Sequence, residues 1–299
     1  MISVIIPTHN RRKMLSEAIN SVLNQKNVEI EIIIVDDAST DDTHEFINNL
    51  SISNVKYIKN DVNLFAHESR KVGYSICEGE YVIFMDDDDF YLDDSFFSNV
   101  ISIFENDNNI SLVMGSTVSI FNGEYGKKID LGGSGKINQK EYINNFGVKF
   151  FKPSSTLTAV FRKSALDMFD FGSFRMINDT CIYLNGMLGG DIYLINMPVA
   201  GYRIHNLNMS KSKFKISFIK ECLAAKIDIY NLLCKMGLLN EPKIWLTKQL
   251  EQSMFYFIVC SNKNIFILLY IFVWNIFKGK GTTYLIIRDA LQKKGVCRN

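Results

Sequence analysis

IEIIIVDDAST, residues 30–40, is a short β-branched run that stops at two aspartates and a cluster of turn residues. Ile and Val at nearly every position, without polar alternation, describe a strand covered on both faces, as in a parallel sheet. The same design recurs on either side, in ISVII at 2–6, NVKYIK at 54–59 and YVIFMD at 81–86. Between the first two strands, Met14, Leu15, Ala18, Ile19, Val22 and Leu23 recur at helical spacing. Further helices are predicted over 41–50 and 66–77. Four βα units in succession predict an open α/β sheet, mostly parallel and flanked by helices.

Such sheets bind ligands at the carboxyl ends of their strands, where loops converge and helix N-termini present free N–H groups. Those ends carry THN, DDAST, NDVN and DDDD, so the reactive side chains gather on one edge. Downstream, a strand is expected from Asn109 to Phe121, a helix from Asn178 to Leu188 and a strand from Ile192 to Tyr202. LGGSGK at 131–136 reads as a flexible loop. It lacks the G-x-x-x-x-G-K-[ST] spacing of a phosphate loop, and no G-x-G-x-x-G follows the first strand, which removes the main support for dinucleotide-binding and nucleoside-triphosphatase classes.

The 299 residues are 47% hydrophobic and 22% charged, ample for a folded core and room for about two domains. Formal charge is +1, which argues against nucleic acid as a partner. Residues 1–204 carry 18 Lys and Arg against 27 Asp and Glu, a net of −9, whereas 205–299 carry 15 against 5, a net of +10. An acidic body suits a divalent cation, and a basic tail suits an anionic surface. The six cysteines form no C-x-x-C pair, indicating reduced thiols, and the N-terminus places its basic residues after the apolar stretch, the reverse of a secretory signal. The expected location is cytoplasmic.

Beyond residue 210 three helical segments are predicted, near 213–237, 241–261 and 264–278. Ile265 to Trp274 is too short an apolar run to span a bilayer, which takes about 20 residues. With Lys263, Lys278 and Lys280 beside it, this segment either lies in a membrane interface on the inner face of the plasma membrane or packs as a buried helix or homo-oligomer contact.

FMDDDDFY, with Asp86 to Asp89 directly after a buried strand, is the strongest chemical signal. Four adjacent carboxylates repel unless a cation neutralises them, and hard oxygen ligands select Mg2+ or Mn2+. Asp36 and Asp37 end the second strand, where carboxylates accept hydrogen bonds from a ribose or base; Asp36, Ser39 and Thr40 also suit a helix cap. His9, His44 and His67 have no spacing that suggests catalysis.

Taken together, VIIPTHNRRKMLSEAINSVLNQ, EIIIVDDASTDDT, EGEYVIFMDDDDFY, the ND pair at 178–179 and GYRIHNLNMS at 201–210 resemble glycosyltransferase family 2, inverting nucleotide-sugar enzymes with a GT-A fold. The resemblance covers residues 1–210 and implies a catalytic domain there, with a nucleotide-binding half at 1–108, an acceptor-side half at 109–210, and an α-helical extension at 211–299. It makes Pro7, Thr8, Asn10, Arg12 and Asp37 base and ribose contacts. The family's N-x-G-x-x-x-A-R-N-x-G loop corresponds to NLFAHESRKVG at 63–73, keeping Asn63, Arg70 and Gly73 but placing Phe65 at a glycine and Lys71 at an asparagine. Arg70 becomes a nucleotide contact, or else a solvated helix arginine.

The family's metal-binding D-x-D falls on Asp86 and Asp88, with Asp88 the expected Mg2+ or Mn2+ ligand and Asp86 and Asp87 touching ribose or metal-bound water. Asp179 is the expected catalytic base, following Asn178 where the family has Glu; it also suits a helix N-cap. His205 is expected to complete the metal shell. The resemblance thus implies transfer of a single sugar from a nucleoside diphosphate donor, uridine-linked, to a glycan or lipid-linked acceptor in cell-surface polysaccharide assembly. Two rivals are a sugar-nucleotide-binding subunit that has lost catalysis, favoured by Asn178 and Phe65, and a nucleotidyltransferase, disfavoured by the absence of a basic phosphate loop.

Overall fold

The computed structural model describes residues 1–50, 52–168, 170–173, 178–205 and 216–260. Two units divide the chain, Met1–Ile204 and His205–Asn299. The boundary expected at 210 falls among residues outside the described ones.

The first unit opens with β1 (Ile2–Thr8), α1 (Arg12–Leu23), β2 (Ile30–Asp36), α2 (Thr43–Asn49), β3 (Val55–Lys59), α3 (Phe65–Ser75) and β4 (Tyr81–Phe84). These strands are parallel in the order β3-β2-β1-β4, so each predicted βα unit forms. Every residue of β1, β2 and β4 is buried, as their unbroken apolar runs require. β3 is the edge strand and only half-buried. Leu15, Ala18, Ile19 and Val22 of α1 face the core.

Next come β5 (Phe90–Tyr91), α4 (Phe96–Asn106), β6 (Ile110–Phe121), β7 (Glu124–Lys128), β8 (Gly135–Ile137), α5 (Gln139–Asn145), β9 (Ala159–Arg162), α6 (Lys163–Asp167), α7 (Asp179–Gly186) and β10 (Asp191–Ile204). The sheet continues β4-β9-β6-β10-β5. β6 and β10 are parallel, while β9 lies antiparallel between β4 and β6. AVFR, four residues long, was too short to register as a strand by periodicity alone. FNGEY at 121–125 turns β6 into β7 through Asn122 and Gly123, both at positive φ, the Asn-Gly hairpin signal.

LGGSGK is not the flexible loop expected. Gly135 begins β8, whose residues pair with Ile192, Tyr193 and Leu194 of β10. Gly132 has φ +79°, and a Cβ there would lie 1.8 Å from the Lys149 carbonyl oxygen. Its glycine serves a close backbone approach, not mobility.

In the second unit α8 (Ile216–Lys235) and α9 (Pro242–Cys260) form an antiparallel pair. Phe218 meets Phe257 edge-on at 6.4 Å, Tyr230 stacks on Trp245 at 6.5 Å, and the buried Lys226 donates to the Gln249 carbonyl at 2.9 Å. Among the described residues no helix is long and apolar enough to cross a membrane. The segment 264–278 lies outside the described residues.

Candidate active site

The sheet's carboxyl edge is built by the ends of β1, β2 and β4. β4 stops at Phe84, and after the buried Met85 the chain turns through Asp86 to Asp89. One carboxylate oxygen from each of Asp86, Asp88 and Asp89 lies within 4.8 Å of the others. Asp89 is fully buried. Its Oδ1 accepts from the Arg203 backbone N–H at 3.0 Å, and its buried Oδ2 closes no hydrogen bond within 3.5 Å among the described residues.

Two arginines answer these charges. Arg11 Nη1 donates to Asp87 Oδ1 and to Asp88 Oδ2, each at 2.9 Å, and Thr8 Oγ1 donates to Asp87 Oδ2 at 2.7 Å. Arg70, 5% exposed on α3, donates through Nη2 to Asp86 Oδ1 at 2.7 Å and through Nη1 to Asp179 Oδ1 at 3.3 Å. One guanidinium thus joins residues 16 and 109 positions away. Gly73 permits this, because a Cβ there would stand 2.4 Å from Ile5 Cγ2, so only glycine lets α3 settle on β1 with Arg70 one turn nearer the strand ends.

Burial pushes the Asp86 carboxyl up to about 6 against the pull of Arg70, with Asp179 and Asp88 adding to the rise. Burial likewise pushes Asp87 up to about 6 despite Arg11. Asp89 is held well above the usual carboxylate range by burial and by Asp88 and Asp86. Clustered carboxylates whose ionisation is opposed, with one buried oxygen lacking a donor, are the donor set a hard divalent cation needs. The residues present fit Mg2+ or Mn2+.

Asp179 is the first residue of α7, and the cap is made by its neighbour: Asn178 Oδ1 accepts from the Cys181 backbone N–H at 3.0 Å. Asn178 therefore does the capping otherwise ascribed to Asp179, whose carboxylate turns to Arg70 and stays 36% exposed. The asparagine that departs from the expected Glu is a good N-cap.

At the β2 end, Asp37 is 3% exposed, and its Oδ1 accepts from Asn60 Nδ2 at 2.9 Å and from the Leu64 backbone N–H at 2.8 Å. Asp36 is structural: its Oδ1 takes the Ser39 N–H at 2.8 Å and its Oδ2 the Tyr57 hydroxyl at 2.7 Å, and burial, together with this bond, raises the Tyr57 pKa. Asn10, at φ +54°, clasps the same loop, its Oδ1 accepting from the Thr40 and Asp41 N–H groups at 2.8 and 3.2 Å. Pro7 is buried within β1 opposite Val35. Asn63 Oδ1 accepts from the Phe65 N–H at 3.0 Å and shapes the start of α3.

Several placements differ from the local reading. Arg12 stacks over the Phe46 ring at 4.6 Å and faces Asp42 at 3.7 Å; Arg11, which no spacing singled out, is the arginine among the aspartates. Asp89 joins the cluster that the D-x-D pattern confined to Asp86 and Asp88. His9, expected to be an idle loop residue, bonds through Nδ1 to the Asp37 carbonyl at 2.7 Å. His205 opens the second unit, directly after the end of β10.

A family model described as glycosyl transferase family 2 matches residues 3–169, more than half of the chain. The chain belongs to this family. This glycosyltransferase is 27% identical over 218 residues to WfgD of Escherichia coli, named as a UDP-Glc:alpha-D-GlcNAc-diphosphoundecaprenol beta-1,3-glucosyltransferase, covering 72% of this chain and 81% of the relative. It is 30% identical over 229 residues to the GalNAc(5)-diNAcBac-PP-undecaprenol beta-1,3-glucosyltransferase of Campylobacter jejuni, covering 72% and 70%. Among solved structures, S. aureus TarS in complex with UDP-GlcNAc superposes with a TM-score of 0.67 at 19% identity, over 97% of this chain and 79% of that one. The GT-A fold is shared.

Proposed function

We propose that this glycosyltransferase moves one sugar from a UDP-linked donor to a hydroxyl of a lipid-linked glycan acceptor, with inversion at the anomeric carbon and dependence on Mg2+ or Mn2+. The observation that carries the reading is the clustering of Asp86, Asp88 and Asp89 at the end of β4, tied to Asp179 through one buried arginine.

Asp88 and Asp89, with Asp86, would hold the cation. Bound there, the cation supplies positive charge to a departing diphosphate, a Lewis-acid contribution. Thr8 and Arg11 keep Asp87 in place beside it. Pro7, Asn10, Arg12, Asp37 and Asn63 belong to the donor's nucleoside side of the edge, where Asn10 and Asn63 act by shaping the loops that Asp37 binds. Asp179 is the base: its Oδ1 is held by Arg70, and the remaining oxygen accepts the proton of the acceptor hydroxyl while that oxygen attacks the sugar opposite the diphosphate. Inversion of an α-linked donor gives a β product, in keeping with the beta-1,3 linkage in the names of both relatives. Those names also carry undecaprenyl diphosphate-linked acceptors, which favours a lipid-linked acceptor and peripheral action at the membrane.

The test is transfer from a panel of UDP-sugars to an undecaprenyl diphosphate-linked GlcNAc acceptor with Mn2+. Asp179→Asn should slow transfer by about 10²- to 10⁴-fold, the usual worth of a positioned base, with UDP binding kept. Selective UDP-sugar binding with no release of UDP under any acceptor condition would replace the enzyme by a binding subunit.

A further inference from the structure

Lys152 places a half-buried cation beside α7. Its Nζ lies 5.5 Å from the centroid of the Tyr183 ring, and among the described residues no carboxylate oxygen comes within 4.0 Å of it. The lysines on either side in sequence are spent differently: Lys149 pairs with Glu141 at 3.0 Å and Lys163 with Asp167 at 2.8 Å. Arg11 and Arg70 are likewise committed to the aspartates of the edge.

The backbone around Lys152 is pinned on both sides. The Phe151 N–H donates to the Leu131 carbonyl at 3.0 Å, and the Phe151 carbonyl accepts from the Tyr142 hydroxyl at 3.3 Å. Three residues on from Lys152, the Ser155 carbonyl accepts from the Tyr183 hydroxyl at 2.8 Å. Both tyrosines are fully buried, so the segment is anchored to the core.

Tyr183 and Asp179 are four positions apart on α7 and so share one face of the helix, about 5–6 Å from each other. Burial above all, and then the Asp179 charge, raise the Tyr183 pKa, in keeping with that closeness. The ammonium over Tyr183 therefore stands about one helical turn from the proposed base. A pyranose has a similar breadth: a hydroxyl that gives its proton to Asp179 and the anomeric oxygen of the same sugar lie on opposite sides of the ring. A diphosphate on that anomeric oxygen enters an edge lined with carboxylates and needs a cation not already paired, a role a lysine fills as a point charge.

We infer that Lys152 holds the phosphate next to the accepting sugar, so that the sugar being glycosylated is the one bonded directly to the lipid diphosphate. The inference rests on the transfer reading above and names both the group that recognises the acceptor and the kind of acceptor it admits.

Two soluble acceptors isolate the phosphate: GlcNAc diphosphate on a short alkyl chain, and a neutral alkyl glycoside of GlcNAc. Both are used without vesicles, so no lipid headgroup competes. Transfer from the UDP-sugar panel with Mn2+ is measured for the full chain and for Lys152→Gln and Lys152→Arg. The wild type should favour the diphosphate acceptor. Lys152→Gln should lower the ratio of kcat/KM between the two acceptors by about 10- to 100-fold, the usual worth of a charge-assisted bond, mostly through KM. Lys152→Arg should keep most of that ratio, since a guanidinium also binds phosphate. Salt should raise the KM for the diphosphate acceptor in the wild type, and less steeply in Lys152→Gln. An unchanged ratio in Lys152→Gln, with or without a fall in its urea midpoint, would overturn the inference and leave Lys152 a packing partner of Tyr183. Weaker UDP binding by Lys152→Gln in calorimetry, with the acceptor ratio kept, would overturn it in favour of a donor contact. A wild type that transfers only to the neutral acceptor would overturn this inference alone. One that transfers to neither acceptor and never releases UDP would overturn the transfer reading itself.

Discussion

Arg70→Ala removes the one guanidinium seen to join Asp86 to Asp179. Its bond to Asp86 is short, at 2.7 Å, from a side chain 6% exposed. A charge-assisted bond of this kind contributes about 1.5–3 kcal/mol. The Asp179 bond is longer, at 3.3 Å, to a carboxylate 36% exposed, so water competes and it adds about 0.5 kcal/mol. Urea unfolding without metal should therefore show a loss of about 2–3 kcal/mol. Asp86 already sits at about 6 with Arg70 beside it, so without the arginine it is pushed further up and takes a proton nearer neutrality. Mn2+ on the aspartates restores positive charge there, so the variant should gain more stability from Mn2+ than the wild type does. Turnover should fall further than stability explains, because Asp179 loses the partner that fixes one oxygen. Misplaced catalytic groups cost on the order of 10²-fold, with donor KM little changed. Arg70→Lys should retain most of the stability, since an ammonium reaches Asp86, but not the turnover. A stability change under about 0.5 kcal/mol, or normal turnover with weakened UDP binding, would refute the positioning account and return Arg70 to nucleotide contact.

Other outcomes follow from the same geometry. Asp86 and Asp87, raised to about 6, bind protons more tightly folded than unfolded, so their contribution is present below about 4 and lost as pH rises through 6. A cation needs them ionised and relieves that loss. The rise in melting temperature on adding Mn2+ should thus be larger at pH 7.5 than at pH 5, and equal shifts would contradict the cluster as its site. Asn178→Ala should lower unfolding free energy by about 1 kcal/mol through the lost cap, and Asn178→Asp should restore it; an unchanged alanine variant would show that the 3.0 Å bond to Cys181 does not hold α7. Gly73→Ala places a Cβ 2.4 Å from Ile5 Cγ2 and 3.3 Å from Val35 Cγ2, so despite better helix propensity it should destabilise by about 1–3 kcal/mol in urea. A stabilised variant would mean that α3 is free to back away from β1.

What the sequence determined alone is whatever neighbouring residues decide together. Unbroken Ile and Val runs require cover on two faces, so β1, β2 and β4 were legible as parallel strands, and the acids that follow them were legible as one chemical edge. The family could be read from the same motifs, because they hold the chemistry at strand ends.

Tertiary structure alone chose partners. Arg11 and Arg12 are adjacent in sequence with the same chemistry, yet the turn of α1 sends one to Asp87 and Asp88 and the other onto Phe46. Asp89 enters the cluster because the chain turns after Asp86, and β9 enters the sheet because four residues from far downstream pair with β4 and β6. The Arg70 bridge needs α3 to close on β1 at Gly73 and α7 to begin opposite, with Asn178 relieving Asp179 of capping. Periodicity is set by a residue's own turn or strand, but contact between side chains is set by how elements separated by a hundred residues dock, and only the folded chain carries that information.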